Sequence, residues 1–260
     1  MNKSEARALL GTSRTMGALV DGAEVLAVDV PAGSARDVWN ALKALHGETG
    51  LWPFLTDPNQ ADRDSDPTVW RHLDGRYVVT IAEPWRGDVV DLLADLKADY
   101  EQDGGEKDEN GDPFLTDDDH DEMTAAHRCG ELDLPNEEPP PGGSWAADTT
   151  VIGLCPAGPG GLDILRRMEW GGACNYDITG AQHEAVLEHW RARFGAELLT
   201  LGHDVIELNV PEPPTAPALV AKVAEEQTAY CPDIVDQGTG TTTALAEQQV
   251  FSHTWFFWWD

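Results

Sequence analysis

The chain closes on Trp255-Phe256-Phe257-Trp258-Trp259-Asp260, and five consecutive aromatic rings restrict what can be built around them. In a strand, alternate side chains point to opposite faces, so Trp255, Phe257 and Trp259 project to one side and Phe256 and Trp258 to the other. Both faces then need cover. If the strand is central, each buried ring contributes about 1.5–3 kcal/mol, and the sum is comparable with a domain's whole net stability of about 5–15 kcal/mol. The other arrangement leaves one face, Trp255, Phe257 and Trp259 or the remaining pair, to line a ligand or partner groove. With 260 residues, 41% hydrophobic content and ten Trp, the chain is long enough for such a core in one large domain or two small ones.

Upstream, the apolar residues alternate between strand and helix periods. Residues 23–30 read as a strand, followed by a helix over residues 34–48 that aligns Val38, Leu42 and Leu45 with Trp39 beside them. LWPFL at 51–55 and RYVVTIAE at 76–83 read as further strands, and RGDVVDLLADLKADY as a helix with Val89, Leu92, Leu93 and Leu96 on one face. From Thr149 the order is strand, short helix (GGLDILRRM) and long helix (GAQHEAVLEHWRARF, stopped by Gly195). Two strands follow, joined hairpin-like at Gly202-His203-Asp204, then a Pro-entered helix ending before Pro232, the helix TTTALAEQQV and the closing strand. This β-α-β-β-α-β order predicts an α+β fold on a mixed or antiparallel sheet, with a C-terminal half of split βαβ type. The expected division is an N-terminal α/β region over 1–94, an acidic insert or linker over 95–148 and a C-terminal α+β domain over 149–260.

The insert stands out by charge. Between Asp95 and Glu138 there are 17 Asp or Glu against 3 Lys or Arg, and the few large apolar residues predict a loop-like or partly disordered segment. Within it a short helix is expected from Thr116 to Arg128, with Asp117 to Asp119 at its favourable N-terminal end. The density of Pro and Gly in EEPPPGGSW marks the insert's far boundary.

The net charge of −30 repels nucleic acid and anionic membranes and attracts cationic partners and metal ions. No run approaches the roughly 18 apolar residues of a membrane span, and the N-terminus has no signal-type apolar stretch, so the expectation is a soluble, cytoplasmic protein. Its four Cys, at 129, 155, 174 and 231, make no CxxC pair and are expected as reduced thiols.

WGG at 170–172, HWRARFGAELL at 189–199, CPDIVDQGTG at 231–240 and the WFFWWD ending resemble the bacterial family catalogued as domain of unknown function 4253. TGLWP at 49–53 is similar to an N-terminal motif of the same family, so the resemblance extends over most of the chain outside the acidic insert. It implies no activity, because the family is defined without one.

Several residue groups are candidates for chemistry. Asp233 and Asp236 stand one helical turn apart with Gln237 beside them, the spacing an acid/base or metal pair requires; Cys231 adjoins them. The competing reading is that the carboxylates cap backbone N–H groups, with Asp236 serving the Gly238–Gly240 turn and Thr241 capping the last helix. QGTGTTT before a helix would present N–H groups to an anion, but lacks the GK[ST] of a phosphate loop. DENGDPFLTDDD places Asp108, Asn110, Asp112, Thr116 and Asp119 at calcium-loop positions, with Pro113 where Gly is wanted and Asp where the bidentate Glu belongs. His183 and His189, six apart on one helix, are expected to face solvent, and His120 and His127, seven apart, to share a helix face without a zinc motif. Cys174 and Cys231 would be nucleophiles only with a His brought near in space.

With no catalytic signature, the leading expectation is a non-catalytic binding or regulatory protein whose acidic surface engages a basic protein partner. Immunity-type proteins that neutralise cationic toxins offer an analogy of charge. The alternative is an enzyme or metal-dependent small-molecule site on Asp233, Asp236 and Gln237, with calcium the one cofactor the sequence suggests.

Overall fold

The computed structural model describes residues 1–19, 21–56, 82–103, 117–135 and 149–260. The chain forms two compact units, each assembled from both sides of the acidic segment: Met1–Trp85 with Gly143–Pro211, and Arg86–Gly142 with Glu212–Asp260.

The first unit is built on a mixed sheet whose strands are β1 (Arg14–Ala18), β2 (Glu24–Asp29), β3 (Leu51–Thr56), β4 (Val151–Pro156), β5 (Glu197–Leu201) and β6 (Val205–Asn209), in the order β1-β2-β4-β3-β5-β6. All neighbours run antiparallel except β3 and β5, which are parallel. The α+β class and mixed sheet expected from the periodicity are therefore present. The split βαβ detail differs: β3 lies between β4 and β5, antiparallel to the first and parallel to the second. β4 and β5 thus run in opposite directions, whereas that motif needs a parallel pair.

Helices α1 (Lys3–Leu10), α2 (Ala35–Lys43), α3 (His46–Thr49), α6 (Asp163–Met168) and α7 (Gly180–Phe194) complete this unit. The α1 helix and β1 lay outside the periodic segments of the sequence. The α2 helix buries Val38, Trp39 and Leu42, as its spacing predicts. α7 starts at a capping box, in which Thr179 Oγ1 accepts the Gln182 N–H and the Gln182 side chain accepts the Thr179 N–H. It stops at Gly195 with φ 67°. Three buried indoles have N–H groups that would be costly to leave unmet. Each donates to a backbone carbonyl: Trp39 to Pro53 (2.8 Å), Trp52 to Leu198 (2.9 Å) and Trp170 to Gly202 (3.0 Å).

The second unit contains α4 (Val89–Asp103), α5 (Asp117–Ala126), α8 (Pro217–Tyr230), α9 (Thr242–Leu245) and the closing strand β7 (Thr254–Trp258). α5 is the short helix expected inside the insert, and α4 runs three residues past Tyr100, where the expected helix ended, into residues expected as loop. α4 buries Leu92 and Leu93 from the apolar face that its spacing predicts, and packs on α8. The strand expected over 76–83 falls mostly outside the described residues. Among the described residues no helix is long and apolar enough to cross a membrane.

Candidate functional site

The segment between α8 and α9 is wound more widely than an α-helix. Ile234–Thr239 form a π-helical turn, closed where the Gly240 N–H donates to the Val235 carbonyl five residues back (2.7 Å). Gly240 takes φ 77° to end it, a conformation that glycine adopts without steric cost. π-turns widen a helix by one residue and recur at functional sites. Here the turn gives Asp233 and Asp236 different surroundings.

Asp233 points inward and is 5% exposed. Its Oδ2 accepts the Asp260 backbone N–H (3.0 Å) and its Oδ1 the Gln237 side-chain amide (3.2 Å). It ties the C-terminus to the turn, and Gln237 is its partner. Thr241 caps α9 by accepting the Ala244 N–H (3.1 Å), as capping chemistry predicts. Cys231 is fully buried with its thiol donating to the Trp258 carbonyl (3.0 Å). Burial holds that thiol well above the ordinary cysteine range, and a nucleophile must be a thiolate. Cys231 therefore has a structural place.

Asp236 makes a different set of bonds. Its carboxylate caps no turn: Oδ1 lies 2.7 Å from His127 Nε2, and Oδ2 accepts the Tyr100 hydroxyl proton. The phenol and imidazole rings stack, with centroids 5.4 Å apart and planes at 21°. Burial and the neighbouring Asp236 carboxylate push the Tyr100 phenol above its usual range, so it stays a neutral donor. Next to this cluster is a small cleft lined by Lys97, Tyr100, His127, Glu225, Thr228, Ala229 and Pro232.

Of the sequence candidates, the structure thus separates Asp233, which is engaged with Asp260 and with Gln237, from Asp236, which joins Tyr100 and His127. The two partners come from α4 and from the end of α5, and no spacing in the sequence links them to position 236. Trp255, Phe257 and Trp259 are 0, 0 and 2% exposed. Tyr230 stands edge-on to both Phe257 and Trp259, with centroids 5.3 and 5.2 Å away, so these three rings are core and present no open groove. Asp108, Asn110, Asp112 and Thr116 lie outside the described residues, as does the side chain of Asp119, and the calcium loop is not seen. Among the described residues no three His, Cys, Asp or Glu are grouped to hold a metal ion.

No curated protein and no solved structure matches the chain. A family model does match, the one described as Domain of unknown function (DUF4253), over residues 151–260. That stretch includes both CPDIVDQGTG and WFFWWD, and residues 151–260 belong to this family.

Proposed function

We propose that the protein is a non-catalytic binding or regulatory protein whose second unit engages a basic protein partner, in the manner of an immunity-type protein. The observation that carries this reading is the uneven distribution of charge. The second unit holds 26 Asp or Glu against 5 Lys or Arg, a net of −21, while the larger first unit holds 21 against 12, a net of −9. On α4, Asp91, Asp95 and Asp99 are exposed and, four residues apart, share one side of the helix. A concentrated field of one sign raises the encounter rate of an oppositely charged partner and discourages others.

The enzymatic alternative on Asp233, Asp236 and Gln237 is less well supported, because Asp233 and Gln237 are engaged with each other and with the chain's end. Only Asp236, through His127, borders a cleft.

Capture from native lysate on the tagged full-length chain tests the proposal. Retention of a basic protein at near-equal stoichiometry should be lost as ionic strength shrinks the Debye length from about 30 Å at 0.01 M to about 3 Å at 1 M. It should also weaken in the Asp91→Asn/Asp95→Asn/Asp99→Asn variant. Retention that is indifferent to both salt and the triple substitution would overturn the proposal.

A further inference from the structure

The chain leaves α5 as a strap, residues 127–135, that has no helix or strand of its own. Leu132 and Leu134 are half-buried while Glu131, Asp133 and Pro135 are exposed, the alternation of an extended chain. A row of side chains on α8, α9 and the wide turn Ala246–Val250 fastens it. The Cys129 N–H donates to Glu225 Oε1 (3.4 Å), the Gly130 N–H to Thr243 Oγ1 (2.8 Å) and the Asp133 N–H to Glu247 Oε1 (2.7 Å). His127, at the strap's start, is bonded to Asp236. The three bonds to the row come from main-chain N–H groups, which every residue but proline carries, so an extended segment of different sequence would make them equally.

In charge, the row suits a different occupant better. Arg128, Glu131 and Asp133 give the strap a net of −1, and it lies on a unit of net −21. Burial and the Glu225 and Glu247 carboxylates hold the Cys129 thiol above the ordinary cysteine range, so this position is influenced by both acids of the row. A Lys or Arg side chain in its place would pair with them, and one exposed ion pair is worth up to about fivefold in affinity. The row is already filled by a peptide segment, which marks it as a site for one.

We propose that Glu225, Thr243 and Glu247 form the docking track for an extended, Lys- or Arg-bearing segment of the basic partner, and that the strap occupies this track in cis until that segment displaces it. The inference rests on the basic-partner reading above and adds to it the place and form of the contact.

The test follows hydrogen exchange of the Cys129, Gly130 and Asp133 amides by NMR in ¹⁵N-labelled full-length protein. The probe is the acetylated, amidated octapeptide Arg-Lys-Gly-Lys-Leu-Lys-Leu-Pro, which repeats the strap from Arg128 to Pro135 with Lys in place of Cys129, Glu131 and Asp133. It should speed exchange at the three amides saturably, by about tenfold, the scale of one lost hydrogen bond to a charged group. Sodium chloride at about 1 M should suppress the effect. The same octapeptide N-methylated at its Gly and its third Lys keeps the charge but lacks two of the donors, and it should not displace the strap. In the chain itself, Cys129→Lys should slow exchange at Gly130 and Asp133 by up to about fivefold. Exchange that the basic octapeptide leaves unmoved, or that its N-methylated form speeds equally, overturns the inference. The two readings fail separately: a basic protein retained from lysate with no displacement by the octapeptide overturns the track and keeps the partner, whereas displacement without retention keeps the track and overturns the partner.

Discussion

At the scale of single residues, burial decides chemistry more than residue type does. His183, six residues from His189 and without a zinc motif, was expected to face solvent, yet it shares a side of α7 with Val186, Leu187, Trp190 and Phe194, at helical spacings of three, four, seven and eleven. It is fully buried, edge-on to Trp170 with ring centroids 4.8 Å apart. Burial depresses its ionisation to about 3 from an ordinary value of 6.5. The folded state therefore refuses a proton that the unfolded chain accepts, and stability falls as pH drops from the ordinary histidine value toward 3. This one group contributes a slope of at most about 1.4 kcal/mol per pH unit. Urea denaturation of His183→Leu between pH 7 and the acid limit should show a shallower acid loss than the parent chain; parallel curves would mean that carboxylates alone govern the acid limb. For Asp236 the opposite lesson holds. Its sequence neighbourhood of Asp, Gly and Thr suggests a cap, and only a fold that brings Tyr100 and His127 to it makes it the support of an imidazole.

Among the elements, the best anticipated are those whose signals are local. α7 shows both its capping box and its glycine stop in the letters Thr179, Gln182 and Gly195. Replacing Thr179 by Ala should cost about 0.5–2 kcal/mol, read as a lowered urea midpoint with unchanged slope; a smaller loss than this would show that packing of the helix overrides its cap. β7 was recognisable as a strand whose two faces need cover, and its alternation survives in the structure, with Trp255 and Phe257 buried and Thr254, Phe256 and Trp258 half-buried. Asp233 holds the residue that follows these rings and Cys231 bonds to Trp258, so the strand's end is tied back to the π-turn. Deleting Trp255 to Asp260 should abolish cooperative thermal unfolding, whereas a truncated chain that still melts sharply would show the strand to be dispensable. The π-turn itself was not legible. Its five-residue hydrogen bond is a choice among helical windings that residues 234–239 admit alike, and the side-chain partners of Asp233 and Asp236 favour one of them.

At the scale of the molecule, electrostatics and connectivity dominate. A unit with a net charge of −21 repels itself, and salt relieves that repulsion by screening. The melting temperature should therefore rise with sodium chloride, and rise less in the Asp91→Asn/Asp95→Asn/Asp99→Asn variant; a flat response would show that exposure already dissipates the field. The sequence by itself determined the α+β class, most strands and helices from Ala23 onward, the need to bury the terminal aromatics and the excess of negative charge, because these follow from local periodicity and from counting. Only the tertiary structure decided the order of the strands, the antiparallel relation of β4 and β5 and the meeting of Tyr100, His127 and Asp236. Those outcomes depend on contacts between residues far apart in the chain, where burial and hydrogen bonding outweigh the preference of any single segment.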